Sequence, residues 1–334
     1  LRKADAVAVD TEFFWERTYY PILGLVQLAT ADGACALVDA VNIRDLRALG
    51  PVLASPAVTK VLHDAPQDLG ILARATGAMP RAIFDTRLAA GFAGLDSTCS
   101  LQALLRQTLE IDLAKAETRS DWLRRPLSAS QLRYAADDVV HLIPLRENLL
   151  ARCANDTVRG WLADELSQLD DPSRFLDRDP RQMYLRIKGG QRLDARQLAL
   201  LRELAAWREE EARQRDWPRG HVLPDDLLVA LALRAPATRQ ALADVPGFPQ
   251  RMPADAVTRL LASAARGAAV PEAECPLPPL TDFAAKRALK AQSDRLLAHI
   301  CAACATHNID PAMVASRADA EAYVRLLAEA SPGG

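Results

Sequence analysis

Short apolar runs open the chain: ADAVAV at 4–9, ILGLVQLA at 22–29 and, after the turn-like Ala31, Asp32 and Gly33, ACALV at 34–38. Their length and valine content predict consecutive strands. The pattern then alternates: an apolar stretch at 58–62, a helical period from Ala65 to about Thr76, and another apolar stretch at 81–84. That order predicts an α/β layer. From about Ser128 the periodicity is almost wholly helical. Ser128 with Gln131 predicts a capping box, and Leu132, Ala135, Ala136, Val139 and Ile143 continue at helical spacing, with Pro144 bending or ending the helix. Asp194 with Gln197 predicts a second box, at the head of a long helix reaching about Arg215.

Two stretches interrupt this pattern. Residues 170–180 are rich in Asp, Pro and Arg, and residues 270–279 contain four prolines. They predict a domain at 1–170, a linker at 171–193 and two helical modules at 194–270 and 271–334. The modules share a faint plan, a long helix, a polar break and then a shorter helix beginning near Pro224 or Pro311.

Composition narrows the class. Half of the 334 residues are apolar and a quarter charged, enough for a globular protein of two or three domains. No apolar run approaches the roughly 20 residues that cross a bilayer. The formal charge of −2 announces no polyanion partner, so a nucleic-acid surface must be local. Residues 171–220, with twelve basic against nine acidic side chains, are the uneven stretch. Six cysteines are sparse for this length and fit a reducing compartment, so a cytoplasmic location is expected.

Several residues could carry chemistry. Asp10 and Glu12 stand two apart at the end of the first apolar run and therefore share a strand face. Two such charges repel and lose hydration, so they call for an arginine or a divalent cation, and a hard ion such as Mg²⁺ or Mn²⁺ suits carboxylates. HDAPQD at 63–68 lies between a strand and a helix. Asp64 is predicted to cap that helix, with Pro66 in the first turn and Gln67 closing a capping box. Asp68 then lies one turn in and projects toward the strand ends. Tyr134 and Asp138, four apart, share a helix face, and Asp137 points elsewhere. His299, Cys301, Cys304 and His307 look superficially zinc-like, but they lie in an alanine-rich helical pattern with no second cysteine pair. No GxxxxGK[ST] phosphate loop occurs, so a helicase is not expected.

Together, DTEF at 10–13, His63 with Asp68, and YAADD at 134–138 resemble the three motifs of the DEDD exonuclease superfamily in its tyrosine-bearing branch. RTYYP at 17–21, GLVQL at 24–28, FDT at 84–86 and TRSDWLRRP at 118–126 are similar more particularly to the ribonuclease D family, and the likeness covers nearly the whole chain. The modules after Asp194 resemble HRDC domains, which occur twice in bacterial members. The resemblance implies a ribonuclease-H-like α/β exonuclease domain with a mixed sheet, followed by two small all-α HRDC-type domains.

It also implies a mechanism. Asp10, Glu12, Asp68 and Asp138 would hold two divalent cations, Mg²⁺ or Mn²⁺, and Tyr134, mostly protonated at pH 7, would orient the attacking water. The expected reaction is metal-dependent 3′–5′ exoribonuclease hydrolysis to nucleoside 5′-monophosphates. The expected partner is RNA with a free 3′ end, tRNA precursors above all, handled by a monomer without a membrane or nucleotide cofactor. Phe13, Gln27, His63 and Arg119 are the expected substrate-binding residues. Phe13, Trp15, Tyr19 and Tyr20 could stack on terminal bases or join the core, while Arg119, Arg124 and Arg125 could meet phosphates. Two rivals remain: a 3′–5′ DNA exonuclease of the same fold and an inactive RNA-binding scaffold. The second motif departs from the family pattern at Asp64, Pro66 and Gln67, which implies altered local packing rather than a lost metal. The resemblance implies an additional strand before residue 4 that is absent or nearly so here, so the chain is expected to be N-terminally shortened.

Overall fold

The computed structural model describes residues 4–113, 117, 120–278 and 283–330, the side chains of 283, 284 and 328–330 excepted. They form two compact units, one from Leu1–Phe14, Leu23–Leu176 and Phe283–Gly334, the other from Trp15–Ile22 and Asp177–Asp282.

The first unit is built on a mixed sheet of β1 (Ala6–Phe14), β2 (Ile22–Thr30), β3 (Cys35–Asp39), β4 (Thr59–Leu62) and β5 (Ile83–Asp85), in the order β3-β2-β1-β4-β5. β2 and β3 are antiparallel with Gln27 opposite Leu37, and their turn uses Gly33 at φ 82°. β4 runs parallel to β1, with Ala8 opposite Val61, and to β5, with Leu62 opposite Asp85. β1 extends well past the apolar run at 4–9. β4 pairs with it at Ala6–Ala8, and beyond them the strand continues through its charged residues past the end of β4, with β2 as its other neighbour in the sheet.

Alternation along β1 sorts its side chains. Val7 and Val9 join Val26, Leu28, Leu62 and Leu69 in one apolar cluster, while Ala6 and Ala8 join Ala29, Val61, Phe84 and Val139 in another. Asp10 and Glu12 continue the Ala6 and Ala8 series, as the spacing predicts. Around the sheet lie α1 (Pro66–Thr76), α2 (Thr86–Phe92), α3 (Leu101–Leu109), α4 (Ala129–Val140), α5 (Leu142–Arg152) and α6 (Asp156–Ser167). α1 packs its Leu69 and Leu72 with Val7 and Val9, whereas α4 and α5 pack Val139 and Leu142 with Ala8.

The predicted capping box heads α4: the Gln131 amide donates to Ser128 Oγ at 3.1 Å and the Ser128 amide to Gln131 Oε1 at 2.9 Å. The helical run breaks just before Pro144, at His141, and Pro144 sits in the first turn of α5, where its missing N–H leaves no helical bond unmade.

The second unit centres on α7 (Ala195–Arg215), packed with α8 (Asp225–Arg234) and α9 (Ala254–Ala268) through Leu201, Leu204, Leu228, Leu231 and Leu260. Asp194 and Gln197 form the second predicted capping box. A Cβ at Gly267 would stand 2.7 Å from Leu200 Cα, so only glycine allows α9 this close to α7.

Three glutamates of α7 are buried and each meets arginines: Glu203 with Arg181, Glu209 with Arg213 and Arg219, and Glu211 with Arg215 and Arg259. Seven of the twelve basic residues at 171–220, Arg181, Arg196, Arg202, Arg208, Arg213, Arg215 and Arg219, thus pair with carboxylates among the described residues of this unit. Tyr19 joins them, donating its phenol to Glu209 and accepting from Arg213 at 3.0 Å and Arg219 at 3.1 Å.

α10 (Phe283–His307) and α11 (Arg317–Ala330) belong to the sheet's unit, although composition drew a boundary before them. Cys304 and Ile309 share an apolar cluster with Phe92 and Leu162, and the Asp310 amide donates to the Gly91 carbonyl at 2.9 Å. No helix among the described residues is long and apolar enough to cross a membrane. Residues 1–3, all of the sequence that precedes residue 4, lie outside the described residues.

Candidate active site

β1, the β4-to-α1 bend and α4 converge on a cavity of about 280 Å³ lined by Asp10, Glu12, Asp68, Tyr134 and Asp138, together with Phe13 and His63. Carboxylate oxygens of Asp10, Glu12 and Asp138 all lie within 4.8 Å of one another. Asp10 and Glu12 project from the sheet face that α4 covers, so Asp138 meets them directly. Asp68 arrives on α1, which packs on the opposite face. It lines the same cavity but stands outside that trio, and Thr11, whose side chain points to the α1 side, donates its hydroxyl to Asp68.

Burial and mutual repulsion make these acids reluctant to ionise. Burial, then the charges of Asp68, Asp138 and Glu12, holds Asp10 well above the usual carboxylate range. Glu12 is pushed up to about 8 by burial and by Asp138 and Asp68. Burial raises Asp68 against the opposing bond from Thr11, and raises Asp138 to about 6 against the opposing Tyr134 phenol. Tyr134 itself is raised, first by burial and then by the charge of Asp138, so it keeps its proton at neutral pH.

No lysine or arginine is among the described residues lining the cavity. Converging, uncompensated carboxylate oxygens are the donor set that a hard divalent cation requires. The zinc-like series at 299–307 forms no comparable group among the described residues, where the one such cluster is Asp10, Glu12 and Asp138. A larger apolar cavity of about 460 Å³, beside Phe92, Trp161 and Ile300, brings together no ligating trio.

The bend that presents Asp68 is not capped as expected. Asp64 takes φ 61°, Ala65 occupies the N-cap position, and no side chain caps α1, so neither the Asp64 cap nor the box closed by Gln67 forms. Asp64 instead pairs with Arg87 at 2.6 Å. The work falls to buried Asp85 at the end of β5, whose carboxylate accepts from the amides of Asp64 at 3.0 Å, Ala65 at 2.9 Å and Arg87 at 2.8 Å. One group thereby ties the start of α1 to the start of α2. An Asp after a strand and before Thr-Arg-Leu reads locally as an N-cap, but its hold on Asp64 and Ala65, twenty residues upstream, leaves no local trace.

The expected substrate-binding residues are divided. Phe13 and His63 line the cavity, with His63 Nδ1 2.9 Å from Thr86 Oγ1 and burial favouring the neutral ring. Gln27 is fully buried in β2, away from the cavity lining, and its amide has no hydrogen-bond partner among the described residues. Arg119 lies outside the described residues. Of the aromatic cluster, Tyr19 is core in the second unit, Tyr20 donates to Asp177 at 2.9 Å, and Trp15 is exposed with its indole N–H on the Tyr19 carbonyl at 3.1 Å. Arg125, a candidate phosphate contact, is engaged within the protein by Asp39.

Comparison with known proteins gives a consistent set of likenesses. The 3′-5′ exonuclease family matches residues 1–153 and the HRDC domain family matches residues 197–263. Ribonuclease D of Desulfotalea psychrophila is 47% identical over 242 residues, 72% of this chain and 65% of that protein. Ribonuclease D of Granulibacter bethesdensis is 35% identical over 333 residues, 99% of this chain and 83% of that one. The crystal structure of Escherichia coli RNase D, described as an exoribonuclease involved in structured RNA processing, superposes with a TM-score of 0.81 at 30% identity, covering 100% of this chain and 88% of that one.

Proposed function

The chain belongs to the ribonuclease D family of 3′–5′ exoribonucleases, and from that premise we infer that its acidic cavity hydrolyses RNA one nucleotide at a time from the 3′ end in the presence of Mg²⁺ or Mn²⁺. The convergence of Asp10, Glu12 and Asp138 carries the reading. Asp10, Glu12, Asp68 and Asp138 would hold two divalent cations, which supply charge neutralisation, an activated water and stabilisation of the departing 3′ oxygen. Thr11 fixes the Asp68 carboxylate through its hydroxyl bond. Tyr134, protonated beside Asp138, orients the attacking water through its phenol and does not abstract the proton. Phe13 at the cavity wall offers a ring to the terminal base, and neutral His63 a polar contact to the end of the chain.

The description of Escherichia coli RNase D as acting in structured RNA processing supports structured RNA as the substrate class, and the proposal extends to exposed 3′ tails, tRNA precursors included, bound by a monomer. Matched RNA and DNA oligonucleotides, with single-stranded and hairpin 3′ ends, test this under Mg²⁺ and Mn²⁺. The expected product is a nucleoside 5′-monophosphate from RNA, abolished in Asp10→Asn. Preference for DNA, or undiminished turnover by Asp10→Asn, overturns the reading.

A further inference from the structure

The chain entering α4 is fastened to the sheet by one arginine whose five N–H donors are all engaged. Arg125 places Nε on Asp39 Oδ2 at 2.8 Å and Nη2 on Asp39 Oδ1 at 2.7 Å, a bidentate fork. The remaining donors go to the carbonyls of Gly24, Trp122 and Arg124, each at 2.8 Å. Asp39 ends β3 and Gly24 lies in β2, so the fork grips the outer hairpin of the sheet. The approach is so close that a Cβ at Gly24 would stand 2.6 Å from the Trp122 carbonyl oxygen.

What this grip immobilises is Trp122. Its ring is 2% exposed and packs with Leu25 and Ala135, and its centroid lies 6.1 Å from that of Tyr134 with the planes tilted by 41°. Trp122 therefore backs the phenol ring that faces the acidic cavity. A guanidinium with every donor satisfied and its carboxylate partner in β3 is unavailable to a phosphate.

We propose that Arg125 is a positioning residue that sets the orientation of Tyr134 through Trp122, with Asp39 as its anchor. The proposal rests on the reading of Tyr134 as the group that orients water. A misplaced phenol changes the chemical step and leaves substrate binding alone. Lysine keeps the charge but loses the fork, so Arg125→Lys separates a latch from a phosphate contact.

The test is a double-mutant cycle on the full chain, digesting a single-stranded RNA under saturating Mg²⁺. Arg125→Lys is expected to lower kcat by about tenfold with KM within about twofold of the parent. Tyr134→Phe is expected to lower kcat on its own, and adding Arg125→Lys to it should change kcat by less than about twofold. Should Arg125→Lys fail to fold, Trp122→Phe takes its place in the same cycle with the same expectation. Full activity in the latch variant, an effect confined to KM, or an undiminished loss in the Tyr134→Phe background overturns the proposal. Parental kcat in Tyr134→Phe alone removes instead the role assigned to Tyr134.

Discussion

Glu203, Glu209 and Glu211 are buried along α7, while around the cavity Asp68 and Asp138 are buried and Asp10 and Glu12 half-buried, yet the two groups answer the cost of withdrawing charge from water in opposite ways. Each α7 glutamate meets arginines within its own unit, and Glu209 is held below the usual range by Arg219, Tyr19 and Arg213 despite its burial. The cavity acids meet one another, and Glu12 rises to about 8. Buried carboxylates alone therefore say little about function. A set with its counter-charge supplied inside the fold is structural, and a set without one is arranged for something that binds.

The largest effects separate the two sets by sign. Asp138→Asn is expected to lower mononucleotide release by more than about 100-fold, while the metal-free protein melts no lower than the parent at pH 8, because a repelling charge has gone. A clear fall in that melting temperature would mean the carboxylate is already compensated. Glu209→Gln should do the reverse to stability. Arg213 and Arg219 lose the negative charge that they share, and one of the two acceptor oxygens becomes a donor, at about 3–5 kcal/mol in urea unfolding, and a loss under about 1 kcal/mol contradicts the pairing argument.

Acidity sharpens the contrast. The cavity acids have folded values above their unfolded ones, so the stability they allow is full below about pH 4 and is lost as pH rises through the folded values, about 6 for Asp138 and about 8 for Glu12. Glu209, held low, contributes stability above the unfolded glutamate range that is lost as the pH falls through its lowered folded value. A divalent cation opposes the first trend only. The stabilisation by Mg²⁺ in thermal melts should grow from pH 5 to pH 8, to about 2–3 kcal/mol at a hundredfold excess over Kd. A Mg²⁺ effect that is flat with pH would detach the cation from these carboxylates.

Features decided within a few residues were legible in the chain. The two capping boxes need only an acceptor and a Gln three positions on, and the shared face of Asp10 and Glu12 needs only strand alternation. Asp138 and Tyr134 were placed by helical spacing. What stayed hidden depends on partners distant in sequence. Tyr19 could be assigned to the core only through Glu209, 190 positions away. Arg125 looked free until Asp39 was beside it, and Asp64 looked like a cap because Asp85 could not be seen to hold the same bend.

That bend supplies the smallest predicted effect and the finest form of the comparison, two aspartates serving one turn. Asp85 is 2% exposed with three amide donors on its carboxylate, so Asp85→Asn, which leaves one acceptor oxygen where there were two, should cost about 1–3 kcal/mol. The Asp64 side chain is 60% exposed, and solvent screens its pair with Arg87. Asparagine tolerates the left-handed backbone at this position about as well as aspartate does, so Asp64→Asn removes the charge without adding strain. Urea unfolding of Asp64→Asn should then differ from the parent by less than about 1 kcal/mol. If it matched the loss in Asp85→Asn, the Arg87 pair would be holding the bend, and the placement of Asp68 would depend on a surface contact rather than on the buried carboxylate of β5.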